Sequence, residues 1–199
     1  MELAFLLGLL LILLAMSVPI AFAMGIATVG YMVLQNVPLV MVAQRVYSGA
    51  NNYGLIPLPL FILAGILLNT GGISDRIIAF ATALVGHIRG GMALVNIVAS
   101  MLFAGVSGSA VADTAALGSI LIPSMRKKRY PAAFSAAVTA SSATIGIIIP
   151  PSIPMIMHGF VAGVSVTTLF LAGIIPGILV GLGQMVVAYV ISRRNGYPT

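Results

Sequence analysis

Gly105-Val-Ser-Gly-Ser-Ala-Val-Ala-Asp113 is a run of small and polar residues set inside sequence that is otherwise hydrophobic. Its N-terminal flank, Met92 to Ala104, is apolar for 13 residues, and its C-terminal flank, Thr114 to Met125, is apolar up to the basic run Arg126-Lys-Lys-Arg129. At about 1.5 Å per residue a 13-residue helix reaches roughly 20 Å, short of a hydrocarbon layer about 30 Å thick. Two such halves joined by a polar tip predict a re-entrant helical hairpin over 92–125. The basic exit places its open end on the cytoplasmic side, where Lys and Arg accumulate.

The composition around the hairpin requires a membrane. Of 199 residues, 60% are hydrophobic and only 6% charged, with Glu2, Asp75 and Asp113 as the three acids. So few charges cannot cover a water-facing surface. The charge-free runs Leu3 to Gln44 (42 residues) and Tyr130 to Ser192 (63 residues) each exceed the roughly 20 residues of one helical crossing, so the chain is expected to cross more than once. The net charge of +6 does not point to nucleic acid: six of the nine basic residues fall in two clusters, 126–129 and 193–194, each directly after an apolar segment. That is the pattern of loops retained in the cytoplasm. With no cysteine, disulfides and thiolate chemistry are excluded. The leucine-rich start resembles a signal peptide, but Glu2 provides no positive leading region and hydrophobicity resumes from Pro19 to Leu34, which favours anchoring over cleavage.

Along the chain, Ser17-Val-Pro19 should divide the first apolar stretch, because proline removes an amide donor and disfavours helix in the residue before it. The stretch then reads as two spans, or as one long tilted helix and a re-entry. Arg45 to Tyr53 reads as a loop and Ile56 to Thr70 as a further helix. After Gly71-Gly72, the apolar residues Ile73, Ile77, Phe80, Leu84 and Ile88 recur every three or four positions up to Arg89, predicting an amphipathic helix on the membrane surface. Ala132 to Ile149 reads as helix running into Pro150-Pro-Ser-Ile-Pro154, where three prolines in five residues forbid its continuation. A loop is expected from His158 to Val166, then a final span from Thr168 to Ile191.

The two interruptions carry the candidate chemistry. Broken helices aim half-helix amides and free carbonyls into the membrane interior, and these suit an anionic group and a hard cation respectively. Sodium takes carbonyl, hydroxyl and carboxylate oxygens, which gives Gly105, Ser107, Ser109, Asp113, Thr144 and Gly146 as candidate ion ligands. Ser107, Ser109, Pro150, Pro151 and Ser152 are the candidate substrate contacts. Asp113 is an intramembrane carboxylate and hence a functional candidate; it also suits the N-terminus of the second half-helix, and the two roles are compatible. The alternative is a kinked helix pair whose small residues only permit packing. Gly105-Val-Ser-Gly108 also looks like the serine motif of rhomboid intramembrane proteases, with Ser107 as nucleophile and His158 as base, but Gly-Phe-Val-Ala-Gly after His158 does not fit a partner motif.

Pro59-Leu-Phe-Ile-Leu-Ala-Gly65, Gly71-Gly-Ile73, Phe103-Ala-Gly-Val-Ser-Gly-Ser-Ala-Val-Ala-Asp113 and Gly146-Ile-Ile-Ile-Pro-Pro-Ser-Ile-Pro154 together resemble the large membrane subunit of tripartite ATP-independent periplasmic (TRAP) transporters. The resemblance covers nearly the whole chain and implies an all-α, multi-span inner-membrane protein holding one inverted repeat of an elevator-type transporter. It implies scaffold helices over 1–70, an arm over 71–91, a transport-domain part over 92–166 with the hairpin (92–125) and a broken helix (132–158), a transmembrane helix over 167–192, and a truncated cytoplasmic tail over 193–199. On this reading the chain is the N-terminal half of a subunit about twice as long and is no enzyme. It needs no cofactor beyond sodium as coupling ion. Its implied partners are the missing C-terminal half, a small membrane subunit, a periplasmic solute-binding protein and an organic anion such as a C4-dicarboxylate, with no nucleic acid. A divalent-anion/sodium symporter without a binding protein and a non-transporting scaffold subunit are the alternatives.

Overall fold

The computed structural model describes residues 2–51 and 55–198. Those residues are almost entirely α-helical, with no strand among them. They fall into two compact units, Met1–Tyr53 and Gly54–Thr199.

In the first unit, α1 (Glu2–Ala15) and α2 (Ile20–Leu34) are separated at the Ser17-Val-Pro19 break. Ser17 takes a left-handed conformation (φ 61°) and Pro19 caps α2. The two helices pack on each other through small residues: Ala23 and Ala27 are buried one turn apart, and one turn further the Leu9 side chain closes on Gly30. At 14 and 15 residues, each is shorter than a full helical crossing. The loop expected from Arg45 is instead helical: α3 runs Val40–Ala50 and ends at Asn51. Nothing between Arg45 and Ser48 breaks a helix, and Gly49 alone costs only about 1 kcal/mol relative to alanine. The rest of that expected loop, residues 52 and 53, lies outside the described residues.

The second unit is arranged around α6 (Gly91–Ser107), whose first ten residues are all buried. It is packed by α4 (Pro57–Thr70), α5 (Ile73–Val85), α7 (Ala110–Lys127), α8 (Ala132–Ala143) and α10 (Val166–Arg194). α4 and α5 meet at a bend of 70° across Gly71-Gly72. α5 ends at Val85, four residues before Arg89, because its chain turns at Gly86. Its buried face is also displaced from the expected stripe: Ser74, Ala81 and Val85 pack inward, whereas Phe80 and Leu84 remain 59% and 54% exposed. An outward apolar face of this kind suits lipid and not a water-facing connector.

Helix α6 lies antiparallel to α7, since Asn96 near the start of one reaches the Met125 sulfur near the end of the other at 3.7 Å. The hairpin is therefore present, but its arms are longer than the apolar pieces of the sequence. They hold 17 and 18 residues, because Gly105-Val-Ser107 and Ala110 to Asp113 are themselves helical. The polar tip shrinks to Gly108-Ser109, so length alone no longer makes the hairpin re-entrant.

The second interruption opens earlier than the prolines. α8 stops at Ala143, and Thr144–Ile147 forms a 3₁₀ turn before the chain re-enters helix as α9 (Ile153–Ala162). Hydroxyls prepare this: Ser141, Ser142 and Thr144 donate to the carbonyls of Val138, Thr139 and Ser141 respectively, drawing acceptors away from the ladder. α9 then continues through His158, so the loop expected from there contracts to residues 163–165. α10, 29 residues long, is the one described helix whose length and apolarity suffice to cross a membrane. Leu171, Ile175 and Leu179 form an exposed stripe along it, while Gly173, Gly177 and Gly181 on another face are buried against Ile148, Ile149 and Met101.

Candidate functional site

The two interruptions meet. The Gly108 carbonyl at the hairpin tip accepts a hydrogen bond from the Ile153 amide at 3.2 Å, which joins the tip to the first residue of α9. Gly108 is left-handed (φ +62°), and a Cβ there would lie 2.7 Å from the Pro151 carbonyl oxygen. Only glycine satisfies both the backbone conformation and the approach. Gly105 faces the Pro150 carbonyl, with 3.8 Å between that oxygen and the place of a Cβ. The Pro150-Pro151 peptide is cis.

Asp113 sits one turn into α7 and is 1% exposed. One of its oxygens, Oδ1, accepts from the Ser107 hydroxyl. The Ser107 oxygen in turn accepts from the Ser109 amide at 3.2 Å and lies 3.5 Å from the Ser109 carbonyl oxygen. The other carboxylate oxygen, Oδ2, is buried with no hydrogen-bond partner. It presses against Gly146 in the 3₁₀ turn, where an added Cβ would overlap it and lie 3.2 Å from Cγ. A buried acceptor without a donor is costly in a low-dielectric interior. A cation is the natural complement: the same carboxylate has a hydroxyl on one side and irregular backbone on the other.

The helix starts add a second feature. Ser109 caps α7 by accepting from the Ala112 amide at 3.4 Å, and Ser152 caps α9 by accepting from the Met155 amide at 3.3 Å. Because Ile153 touches Gly108, these two positive helix ends converge, which favours an anion beside them. A cavity of about 290 Å³ opens here, bounded by Ser107, Ser109, Ala112 and Ile153, with Ile62 and Ile66 of α4 as an apolar wall.

The structure thus draws together Gly105, Ser107, Ser109, Asp113 and Gly146 with Pro150, Pro151 and Ser152. Thr144 stands outside the network: it is exposed, and its hydroxyl donates to the Ser141 carbonyl of its own turn. Ser152 is fully buried, its hydroxyl donating to the Ile147 carbonyl at 2.7 Å, so it shapes the break from inside. The protease arrangement does not form, since Ser107 is engaged by Asp113 and His158 is an exposed residue of α9.

Residues outside the two motifs hold the site in register. Asn96 of α6 donates to Thr139 of α8 at 2.7 Å and accepts from Ser142 at 3.3 Å, while Ser100 donates to Ser142 at 2.9 Å. All four are at most 1% exposed. Asn96 and Ser100 lie one turn apart on the face of α6 that meets α8, on the same helix as Ser107, and Thr139 and Ser142 lie on α8 just before the 3₁₀ turn that holds Gly146. The sequence signal is a polar residue repeated at helical spacing inside an apolar segment, present on both helices. Among the described residues no three His, Cys, Asp or Glu side chains cluster as they would around a transition metal.

The chain matches, over residues 7–199, the family described as the tripartite ATP-independent periplasmic transporter DctM component. It is 48% identical over 155 residues to a putative TRAP transporter large permease protein of Haemophilus influenzae, covering 78% of this chain and 39% of that one. It is 42% identical over 184 residues to the sialic acid TRAP transporter large permease protein SiaM of Vibrio cholerae, covering 92% and 43%. It is 45% identical over 156 residues to the C4-dicarboxylate TRAP transporter large permease protein DctM of Pseudomonas aeruginosa, covering 78% and 36%. The chain therefore spans less than half the length of these curated relatives.

Proposed function

The chain belongs to the DctM-component family of tripartite ATP-independent periplasmic transporters, and from that premise we propose that it forms part of the large membrane subunit of a sodium-coupled, binding-protein-dependent importer of organic anions in the inner membrane. The observation that carries the proposal is the unpartnered Asp113 Oδ2, buried between the hairpin tip and the second break. Sodium there would be held by Asp113 and Ser107, with the backbone of Gly105, Ser109 and Gly146 within the same cluster, while Thr144, exposed and bonded to the Ser141 carbonyl, takes no part.

Coupling follows from charge and placement. A cation beside Asp113 neutralises the buried carboxylate and bridges α7 to the 3₁₀ turn, which fixes the tip against the break. The converging starts of α7 and α9 then face the cavity with positive dipole ends, where a carboxylate can dock beside Ser107 and Ser109. Ile153 lines the cavity beside them, and Pro150, Pro151 and Ser152 precede it in the second break, where they set its position. Substrates of the kind named for its relatives, a sialic acid or a C4-dicarboxylate, carry the required anionic group.

The working assembly would include the remainder of the large subunit, a small membrane subunit and a periplasmic solute-binding protein, with the hairpin re-entrant and the transport part moving as an elevator against scaffold helices. A symporter without a binding protein, or a scaffold without transport, would lack the dependence tested here. In a reconstituted full-length complex, uptake of the cognate anion should require both sodium and the binding protein. Uptake that persists without either one, or no uptake at all, overturns the proposal.

A further inference from the structure

Three segments distant in sequence converge at one end of the second unit. The Tyr130 hydroxyl donates to the Pro198 carbonyl at 2.7 Å, and the Gly90 amide donates to the same oxygen at 3.2 Å. The Tyr197 amide returns to the Ser192 carbonyl at 2.9 Å, folding residues 195–198 back over the end of α10. The Tyr197 ring lies 5.3 Å from that of Tyr130 and 5.0 Å from that of Phe134. This aromatic clasp fixes what flanks it: Arg89 beside Gly90, the run Arg126 to Arg129 beside Tyr130, and Arg193-Arg194 beside Ser192. All seven basic side chains are exposed, and the segments that bear them contain no acid.

Seven of the chain's nine Lys and Arg residues thus share one rim, although its three acids are Glu2, Asp75 and Asp113. The positive-inside bias explains why such residues remain on one side of the bilayer. It does not explain why three separate segments are tied together by tyrosines. Tyrosine at an interface has its ring at the level of lipid headgroups, and arginine pairs bidentately with phosphate oxygens. We infer that this rim is a binding surface for anionic phospholipid headgroups, phosphatidylglycerol-like in charge, at the membrane face where α6 and α8 begin and α7 and α10 end. The inference rests on the membrane reading of the chain; it does not depend on sodium coupling or on the transported anion.

The test places the full-length complex in phosphatidylcholine vesicles carrying a minor fraction of spin-labelled phosphatidylglycerol, present in both leaflets. Motional restriction of the labelled lipid should exceed that of spin-labelled phosphatidylcholine by about fivefold or more, given the attraction of several basic side chains. The variant Arg126→Gln/Arg129→Gln/Arg193→Gln/Arg194→Gln should bring the two lipids to within about twofold of each other. Salt at about 1 M, where the Debye length falls to about 3 Å, should do the same to the unmodified protein. Inorganic phosphate at matched ionic strength should not compete. Equal preference in wild type and variant overturns the inference, as does competition by inorganic phosphate. Loss of the small membrane subunit from the variant with unchanged lipid preference also overturns it, by assigning the rim to a protein partner. A reporter cysteine at Val164, at the opposite end of α10 in a cysteine-free background, reads orientation separately, so a failed topology is distinguished from a failed lipid site.

Discussion

The two helix breaks differ in how their polar groups are satisfied. At the hairpin tip the chain reverses over Gly108-Ser109 alone, and the Ser107, Ser109 and Asp113 side chains fold back to serve it. At the second break the helix is lost over nine residues, 144–152, and no charged side chain is present. The tip therefore contributes the charge and the break contributes the backbone. A site proposed to bind and release an ion would need both, because a carboxylate enclosed by its own helix would have no second surface from which to part.

Several substitutions would break or sharpen this contrast. The largest effect is expected for Gly146→Ala, in which the break pushes into the Asp113 carboxylate. A displacement of about 1 Å costs about 100-fold where geometry is decisive, so sodium-driven uptake by the full complex should fall by about that factor while the protein still inserts and folds. Gly108→Ala comes next: the left-handed conformation costs about 1–2 kcal/mol and the Pro151 carbonyl blocks the new methyl, so the complex should unfold at visibly lower temperature. Asn96→Leu removes both bonds from a buried residue to α8, and its contact with the Met125 sulfur of α7, and should cost about 1–3 kcal/mol, read as a lower melting temperature together with weaker sodium dependence. Ser109→Ala should be mildest. Its side chain's bond within the protein is the 3.4 Å cap of α7, worth about 0.5–1 kcal/mol, the helix start still faces the cavity without it, and its carbonyl remains available to an ion.

The contrast also accounts for what the sequence discloses. Both breaks are legible because Gly-Val-Ser-Gly-Ser and Pro-Pro-Ser-Ile-Pro contain residues whose backbone limits are local. Asp113 is legible because a lone acid in apolar sequence has few explanations. The helix ends are less so: small residues from Gly105 to Ser107 look polar yet propagate α6, and the hydroxyls at 141–144 end α8 six residues before the helix was expected to stop at Ile149. The face of α5 misleads because in lipid the outward side is also apolar, so periodicity marks Phe80 and Leu84 without saying which way they point. The pairing of Asn96 with Thr139, 43 residues apart, depends on tertiary contact and is invisible to spacing within either helix.

The most direct measurement is sodium-dependent thermal stabilisation of the detergent-solubilised full-length complex, wild type against Asp113→Asn. Ligand that binds only the folded state raises stability by about 2.7 kcal/mol at a hundredfold excess over its dissociation constant. The wild type should therefore melt at progressively higher temperature as sodium replaces potassium at constant ionic strength. Asp113→Asn, which removes the charge beside Gly146, should lose most of that rise. A variant whose melting temperature climbs with sodium as steeply as the wild type would contradict the assignment of the ion to the contact between the hairpin tip and the second break.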